Sequence, residues 1–137
     1  MNNNEERTLS IIKPVAVERK LENKIKNFFL NNGLRIADSK KIQITKEEAE
    51  GFYKVHQSKP FYNDLCSYLS SGPIEVIILE GQNVIKENRR LMGATDPKKA
   101  EKETIRSIYG ISIDKNSVHG SDSSDNAKKE IDFFFKS

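Results

Sequence analysis

The sequence predicts an α+β fold in which helices pack on a four-stranded antiparallel sheet. Short β-branched and aliphatic runs indicate strands, and apolar residues at helical spacing separate them. The elements follow the order β-α-β-α-(α)-β-α-loop-(β)-α, in which the fourth strand is only weakly marked. This order fits a ferredoxin-like βαββαβ arrangement with helices on one face of the sheet. A length of 137 residues suits one domain over residues 1–137.

The first third of the chain predicts two strands joined by a helix. Residues 8–12 form a short β-branched run that Pro14 ends, because proline cannot continue an internal ladder. Apolar residues recur every three or four positions over 21–29, which predicts an amphipathic helix. Gly33 suits the end of that helix, and residues 34–44 read as the second strand.

The middle of the chain predicts two further helices and a central strand. Thr45 and Glu48 form a capping box at the start of the first helix, which the Lys59-Pro60 pair ends. A helical piece follows over 63–69. Residues 74–80 are the most apolar run, as expected of a strand at the centre of a sheet.

The last third predicts a helix over 84–92, an irregular segment over 94–117 and a final helix. The irregular segment is long for a compact domain, which favours a functional role. Residues 121–125 are rich in side chains that cap helices. Ala127, Ile131 and Phe134 then lie on one side of the last helix.

Composition limits the functional classes. Lys and Arg number 23 against 20 Asp and Glu, and the two signs are interspersed, so an anionic partner is neither required nor excluded. The single Cys66 excludes an internal disulfide, suits a reducing compartment and reads as a small core residue. Neither a secretory signal nor a run long enough to span a bilayer is visible. We therefore expect a cytoplasmic protein.

Several kinds of catalytic machinery are absent from the sequence. It contains no GxxxxGK[ST] phosphate loop, no H-R-D or D-F-G protein-kinase motif, and no GxSxG or HExxH motif. Two histidines and one cysteine cannot alone fill a tetrahedral zinc site.

The tetrapeptide His119-Gly120-Ser121-Asp122 is the first candidate for chemistry. The histidine precedes a predicted helix start, and the glycine leaves one flank of it open. Free amides at that helix start favour an incoming phosphate. Glu130, on the same final helix, is placed to hold one imidazole nitrogen and leave the other as a nucleophile. The alternative is a loop histidine beside an ordinary helix cap, which a lone His-Gly pair favours.

Isolated cations beside small polar residues are the second candidate. Without a glycine-rich loop, arginine forks and a lysine can still hold a polyphosphate. Taken singly, each residue reads as a solvated surface group, and only convergence on His119 makes them a site. The members are Lys13, Arg89, Arg90 and Arg106, with Thr95 and Asn116 as neutral hydrogen-bonding groups.

Aromatic residues give weaker signals. Tyr53 and His56 share one helix face and read as packing and a helix C-terminal charge. Phe61 and Tyr62 form either a shelf for a nucleotide base or part of the core. The run 133–135 reads as core or as a subunit contact.

Taken together, these residues resemble the nucleoside diphosphate kinase family over nearly the whole chain. The segment 116–123, which contains His119-Gly120-Ser121-Asp122, matches the family signature, and the other blocks occur in the family order. Those blocks are residues 6–14, Phe52-Tyr53 with Pro60-Phe61, 71–73, 79–81, 92–97 and 104–106.

The resemblance implies a ferredoxin-like fold and a ping-pong transfer. A nucleoside triphosphate, typically ATP, gives its γ-phosphate to a histidine, which passes it to a nucleoside diphosphate. By position, His119 matches the phosphorylated histidine, Glu130 the carboxylate that orients it, and Ser121 the serine beside it. Phe61 matches the aromatic residue that stacks on the base. The residues that match phosphate or ribose contacts are Lys13, Tyr53, Arg89, Thr95, Arg106 and Asn116.

The resemblance also implies cofactor and partners. Mg²⁺ is expected to be held mainly by the nucleotide phosphates, with no protein metal ligand. Self-association into a tetramer or hexamer is expected, and the segment from Asp96-Pro97 onward matches a subunit-contact loop. Neither a membrane nor a specific nucleic acid is expected as a partner.

Three positions depart from the family pattern, and two alternative functions stay open. Val15, Glu103 and Ile108 stand where the family commonly has other residues, which bears on the packing of 94–117. One alternative is an RNA-binding module on a ferredoxin-like sheet, although no RNP1-like stretch is present. The other is a catalytically inactive homologue.

Overall fold

The computed structural model describes residues 5–93, 98, 100–109 and 118–135. In this part of the chain four strands form one antiparallel sheet in the order β2-β3-β1-β4. The strands are β1 (Glu5–Ile12), β2 (Arg35–Ile42), β3 (Ile74–Gln82) and β4 (Val118–Gly120). The helices are α1 (Pro14–Glu18), α2 (Glu22–Asn31), α3 (Lys46–Phe52), α4 (Tyr62–Leu69), α5 (Val84–Met92), α6 (Ile105–Tyr109) and α7 (Ser124–Phe134), with a 3₁₀ turn over Lys54–His56.

The predicted α+β fold and the central position of the third strand are confirmed. Strand β3 lies between β1 and β2, and all its side chains over residues 74–79 are buried. Strand β1 lies between β3 and β4, with Ile11 opposite both Val76 and His119. The sheet register therefore fixes where His119 lies.

Helices cover both faces of the sheet, so the expectation of helices on one face was wrong. Successive side chains of a strand point to opposite faces, and β1 places Leu9 and Ile11 on one face and Ile12 on the other. Leu9 and Ile11 pack in a cluster with residues of α3, α4 and α7, whereas Ile12 packs with residues of α1, α2 and α5. The sheet is thus the middle layer of three.

The helix caps predicted from the sequence are present. The amide of Glu48 donates to Oγ1 of Thr45 at 3.1 Å, and the amide of Thr45 donates to Oε1 of Glu48 at 2.9 Å. At the start of α7, the amide of Asn126 donates to Oγ of Ser123 at 3.1 Å. Such caps stabilise a helix by about 1 kcal/mol each.

Three elements differ from the sequence prediction. Helix α1 begins directly at Pro14, a residue whose fixed φ suits the first helical position. Helix α6 lies within the segment expected to be irregular. His119 lies on strand β4 rather than in a loop. The sequence did not predict this strand clearly, because three residues are too few to show a two-residue period.

Two smaller expectations can be compared with the described residues. Cys66 is fully buried, as predicted, and burial raises the pKa of its thiol. Among the described helices, none is long and apolar enough to cross a bilayer.

Candidate active site

Strand β4 carries His119 on the face that packs against α3 and α7. Its neighbour Ser121 is tied to β1 in two ways: its amide donates to the carbonyl of Leu9 at 3.2 Å, and its Oγ accepts from the amide of Leu9 at 3.4 Å. The His119 side chain retains 21% exposure. The ring is therefore anchored to the sheet and still reachable from solvent.

The carboxylate of Glu130 lies within hydrogen-bonding distance of the imidazole of His119. Oε1 of Glu130 lies 3.0 Å from Nε2 of His119 and also accepts from Oγ of Ser121 at 2.7 Å. An ionised carboxylate only accepts hydrogen bonds, so Nε2 is the donor and the lone pair of the neutral ring lies on Nδ1. Nδ1 has no hydrogen-bond partner among the described residues and is not buried. This is the geometry of an exposed nitrogen nucleophile.

A cleft of about 480 Å³ opens in front of this ring. Arg89 reaches it from α5 and Arg106 from α6, so these two predicted cations converge on His119. Other residues, several of which the sequence did not point to, also line the cleft. The lining residues are Gly51, Phe52, Lys54, His56, Arg89, Met92, Arg106, His119, Gly120, Asp122, Asn126, Lys129, Glu130 and Phe133.

Arg106 is buried, and two carbonyls hold its guanidinium. Nη1 donates to Gly93 and Nη2 to Val118, both at 3.0 Å, while no described residue accepts from Nε. Burial, and to a lesser extent the charge of Arg89, lower the pKa of Arg106 to about 10. Two guanidinium groups held near each other favour a bound anion, which removes their repulsion and the desolvation cost.

Two aromatic rings contact the ring of His119, and of these Phe52 lines the cleft whereas Tyr53 does not. The ring of Phe52 meets His119 edge-on at a centroid distance of 5.4 Å, and Tyr53 does so at 6.5 Å. Tyr53 is buried, which raises the pKa of its phenol. Phe61 is 45% exposed and stands 6.4 Å from the ring of His56, but it does not line the cleft itself.

His56 is a site residue that the sequence reasoning did not place. Its ring lines the cleft, and its Nδ1 is buried without a hydrogen-bond partner among the described residues. Burial is the largest cause that lowers the pKa of His56, followed by the charges of Lys59 and His119. Its spacing of three residues from Tyr53 was the available signal, but the sequence analysis interprets His56 as a helix C-terminal charge.

The remaining predicted residues are not brought to the cleft by the described geometry. Lys13 is buried at the end of β1, and its carbonyl accepts from the amides of Ala16 and Val17 in α1. It does not line the cleft. Thr95 and Asn116, and the Asp96-Pro97 start of the expected subunit-contact loop, lie outside the described residues.

The described part of the chain contains no group of three or more side chains able to hold a metal ion. Besides Glu130, the carboxylate that lines the cleft is Asp122. A hydrogen bond of 2.6 Å from Nδ2 of Asn126 is the main cause that lowers the pKa of Asp122. A divalent ion at this site would therefore depend on oxygen atoms brought by the ligand.

The fold and the site together define a class of protein. A carboxylate-oriented histidine on an antiparallel sheet, facing two convergent arginines, belongs to an α+β protein that binds phosphate groups beside a nucleophile.

Comparison with known proteins identifies the family. The family model described as nucleoside diphosphate kinase matches residues 6–137. A nucleoside diphosphate kinase of Nitratiruptor sp. is 58% identical over 130 residues, 95% of each chain, and one of Campylobacter jejuni is 56% identical over 131 residues, 96% of each chain. The crystal structure of the Aquifex aeolicus nucleoside diphosphate kinase superposes with a TM-score of 0.94 at 40% identity, covering 96% of both chains. The chain belongs to the nucleoside diphosphate kinase family.

Proposed function

We propose that this chain transfers the γ-phosphate of a nucleoside triphosphate to a nucleoside diphosphate through a phosphohistidine on His119. The observation that carries the proposal is the pairing of Nε2 with Glu130, which leaves Nδ1 accessible in a cleft that also holds Arg89 and Arg106. Membership of the nucleoside diphosphate kinase family supports the same reaction.

In the first half-reaction the lone pair of Nδ1 attacks the γ-phosphorus. The bond from that phosphorus to the bridging oxygen breaks, and the nucleoside diphosphate leaves with the electron pair. In the second half-reaction a terminal oxygen of the acceptor diphosphate attacks the same phosphorus. The N–P bond then breaks, and its electrons return to Nδ1.

Glu130 stabilises the charge that develops on the ring. When Nδ1 is phosphorylated, the imidazole becomes cationic while Nε2 keeps its proton. The carboxylate 3.0 Å away then faces a positive ring, and this attraction favours the transition state. Ser121 donates to the same carboxylate oxygen and so fixes its position.

Positioning and charge neutralisation supply most of the remaining catalysis in phosphoryl transfer. Arg89 and Arg106 would pair with the phosphate oxygens, and Mg²⁺ held mainly by those oxygens would neutralise further negative charge.

Nucleotide recognition is proposed for the residues that match the family at other positions. Phe61, which is 45% exposed and has Nζ of Lys59 at 5.6 Å from its ring centroid, would stack on the base. Stacking does not read base edges, so ATP and other nucleotides would be accepted. Lys13, Tyr53, Thr95 and Asn116 would contact phosphate or ribose.

The setting of the enzyme is part of the proposal. Residues 1–137 would act as one domain that self-associates into a tetramer or hexamer in the cytoplasm, with no membrane or specific nucleic acid as partner. The outer position of β2 in the described sheet supports self-association, because an edge strand leaves backbone groups free to pair.

Phosphorylation by γ-labelled ATP tests the proposal. With Mg²⁺ present, the wild-type chain should gain an acid-labile, base-stable phosphate that a nucleoside diphosphate removes. His119→Ala should abolish the label. The chain has only two histidines, so His56→Ala is the matched control and should still accept label, at a slower rate because His56 lines the cleft.

Two outcomes would contradict the proposal. Label on the His119→Ala variant would place the phosphate elsewhere. An unlabelled wild-type chain that is folded and binds nucleotide would instead indicate an inactive homologue.

A further inference from the structure

Three fully buried side chains lie near strand β4, which carries His119, and have polar atoms that the reaction does not use. Oγ1 of Thr8, Oγ of Ser10 and both amide atoms of Asn88 have no hydrogen-bond partner among the described residues. All three residues have zero exposure. Buried polar groups are nearly always hydrogen-bonded, so four such atoms in one region call for an explanation.

The register of the sheet brings these groups together. Ser10 lies opposite Gly120 on the neighbouring strand, and Thr8 lies two residues away on the same face of β1. A Cβ built on Gly120 would overlap Nδ2 of Asn88, which reaches this face from α5. Across an antiparallel pair, Cβ positions are about 4.5–5.5 Å apart. The Asn88 amide and the Ser10 side chain therefore lie on the same face of the sheet, on either side of the position that a Cβ of residue 120 would occupy.

The glycine at position 120 is required by space and not by backbone conformation. Its φ is not positive, so its backbone conformation does not demand glycine. Besides Asn88, a Cβ there would lie 2.8 Å from Cε and 3.0 Å from Sδ of Met92. The Asn88 amide thus packs directly against the backbone of the residue that follows His119.

We propose that Thr8, Ser10 and Asn88 line an internal water site behind Gly120, and that Asn88 is thereby a positioning residue for His119. Buried waters typically make two to four hydrogen bonds to protein groups that would otherwise be unpaired, and two hydroxyls and a carboxamide supply that number. The water and the Asn88 amide together form the surface against which the backbone of β4 packs at Gly120.

Strand β4 depends on this packing surface because few other interactions fix its position. Strand β4 has three residues and pairs only with β1 in the described sheet. Arg106 holds the carbonyl of Val118, and Ser121 is tied to Leu9. Between these two anchors, Gly120 has no side chain to pack. A misplacement of about 1 Å at a reacting group can cost roughly 100-fold in rate.

Asn88→Leu tests the positioning role, because leucine has a similar size and no hydrogen-bonding atom. The rate constant for phosphorylation of His119, measured in a single turnover, should fall by about tenfold. The dissociation constant for nucleoside diphosphate should be unchanged, since Asn88 is buried and does not line the cleft. Asn88→Ser keeps a polar atom and leaves room for a second water, so it should retain most of the rate. Glu87→Gln, at the preceding position on α5, is the control and should behave as wild type.

A double variant tests the contact itself. Gly120→Ala inserts a methyl group into the space of the Asn88 amide and should slow phosphorylation. Adding Asn88→Ala removes that overlap, so the double variant should be faster than Gly120→Ala alone. Independent, additive losses would show that the contact does not position His119. Thermal unfolding of every variant separates loss of the fold from loss of positioning.

A high-resolution crystal structure tests the water site without any activity measurement. A water within about 3.2 Å of both the Asn88 amide and Oγ of Ser10 is expected. A direct Asn88–Ser10 hydrogen bond without water would overturn the site. Because the positioning role rests on the proposed function, the wild-type labelling result is decisive for that part. If wild type labels and Asn88→Leu is phosphorylated at the normal rate, the inference alone fails. If wild type does not label, the proposed function fails.

Discussion

The two walls of the cleft are built in different ways. On the β4–α7 wall, the carboxylate of Glu130 is hydrogen-bonded to both His119 and Ser121, and the strand is anchored in the sheet. The second wall, the binding wall, consists of His56 on the 3₁₀ turn, Arg89 on α5 and Arg106 on α6. The first wall is held together by hydrogen bonds within the chain, whereas the binding wall presents two guanidinium groups to an incoming anion.

This difference matches two separate tasks. A nucleophile must be held in one orientation before the substrate arrives, because its alignment sets the rate of the chemical step. A binding wall can hold like charges near each other if an anionic ligand offsets their repulsion. Substitutions on the first wall should therefore lower the rate of transfer, and substitutions on the second should weaken binding.

The largest effect is expected at Glu130. Replacing it with glutamine keeps an acceptor for Nε2 but removes the charge that stabilises the cationic ring, so we expect kcat to fall by roughly 100-fold or more. The KM for the nucleotide should change little. Rapid-quench measurement of phosphohistidine formation would locate the loss in the chemical step.

Asp132→Asn is the matched control, because it removes an exposed carboxylate two residues further along α7. It should leave kcat unchanged. A Glu130→Gln variant as fast as wild type would show that the β4–α7 wall does not depend on this carboxylate.

The next effect is expected at Arg89 and separates it from its neighbour Arg90. Arg89 lines the cleft, whereas Arg90 pairs with Glu87 at 2.8 Å. A hydrogen bond to a charged group contributes about 1.5–3 kcal/mol, so Arg89→Ala should raise the KM by about tenfold or more. Arg90→Ala should change it less than about twofold, as is usual for exposed pairs. Steady-state kinetics on the two variants would decide, and equal effects would remove Arg89 from the binding wall.

The sequence predicted the β4–α7 wall better than the binding wall. His119 and Glu130 lie 11 residues apart on consecutive elements, so their pairing follows from local structure. The anchoring of Arg106 on the carbonyls of Gly93 and Val118 depends on how α5, α6 and β4 meet, which no local pattern encodes. The three-layer arrangement did have a signal in the apolar residues at both parities of β3. Lys13 stays a prediction as a substrate contact.

A smaller effect is expected in the titration of His56. Burial lowers the pKa of His56 below its ordinary value of 6.5, so the unfolded chain binds this proton more readily than the folded chain. This group therefore reduces stability as pH falls below 6.5. Bound nucleoside diphosphate brings negative charge near the ring and should raise its pKa.

Nuclear magnetic resonance can follow this titration in the His119→Ala variant, where His56 is the remaining histidine. The midpoint should lie below 6.5 without ligand and move upward when ADP is added. A midpoint that ADP does not move would mean that the phosphates bind away from His56.

The smallest effect is expected at Glu103, which lies outside both walls but precedes the helix that carries Arg106. Its φ is +66°, a left-handed conformation that costs a residue with a side chain about 1–2 kcal/mol. Glycine adopts this conformation without that cost but loses more backbone entropy on folding, so Glu103→Gly should stabilise the chain by about 0.5–1 kcal/mol. The comparison variant is Glu101→Gly, which has no left-handed backbone to relieve and should destabilise. Denaturant unfolding would measure both, and kcat should stay at the wild-type value because neither side chain lines the cleft. A Glu103→Gly variant less stable than wild type would show that the glutamate side chain contributes more than its backbone conformation costs.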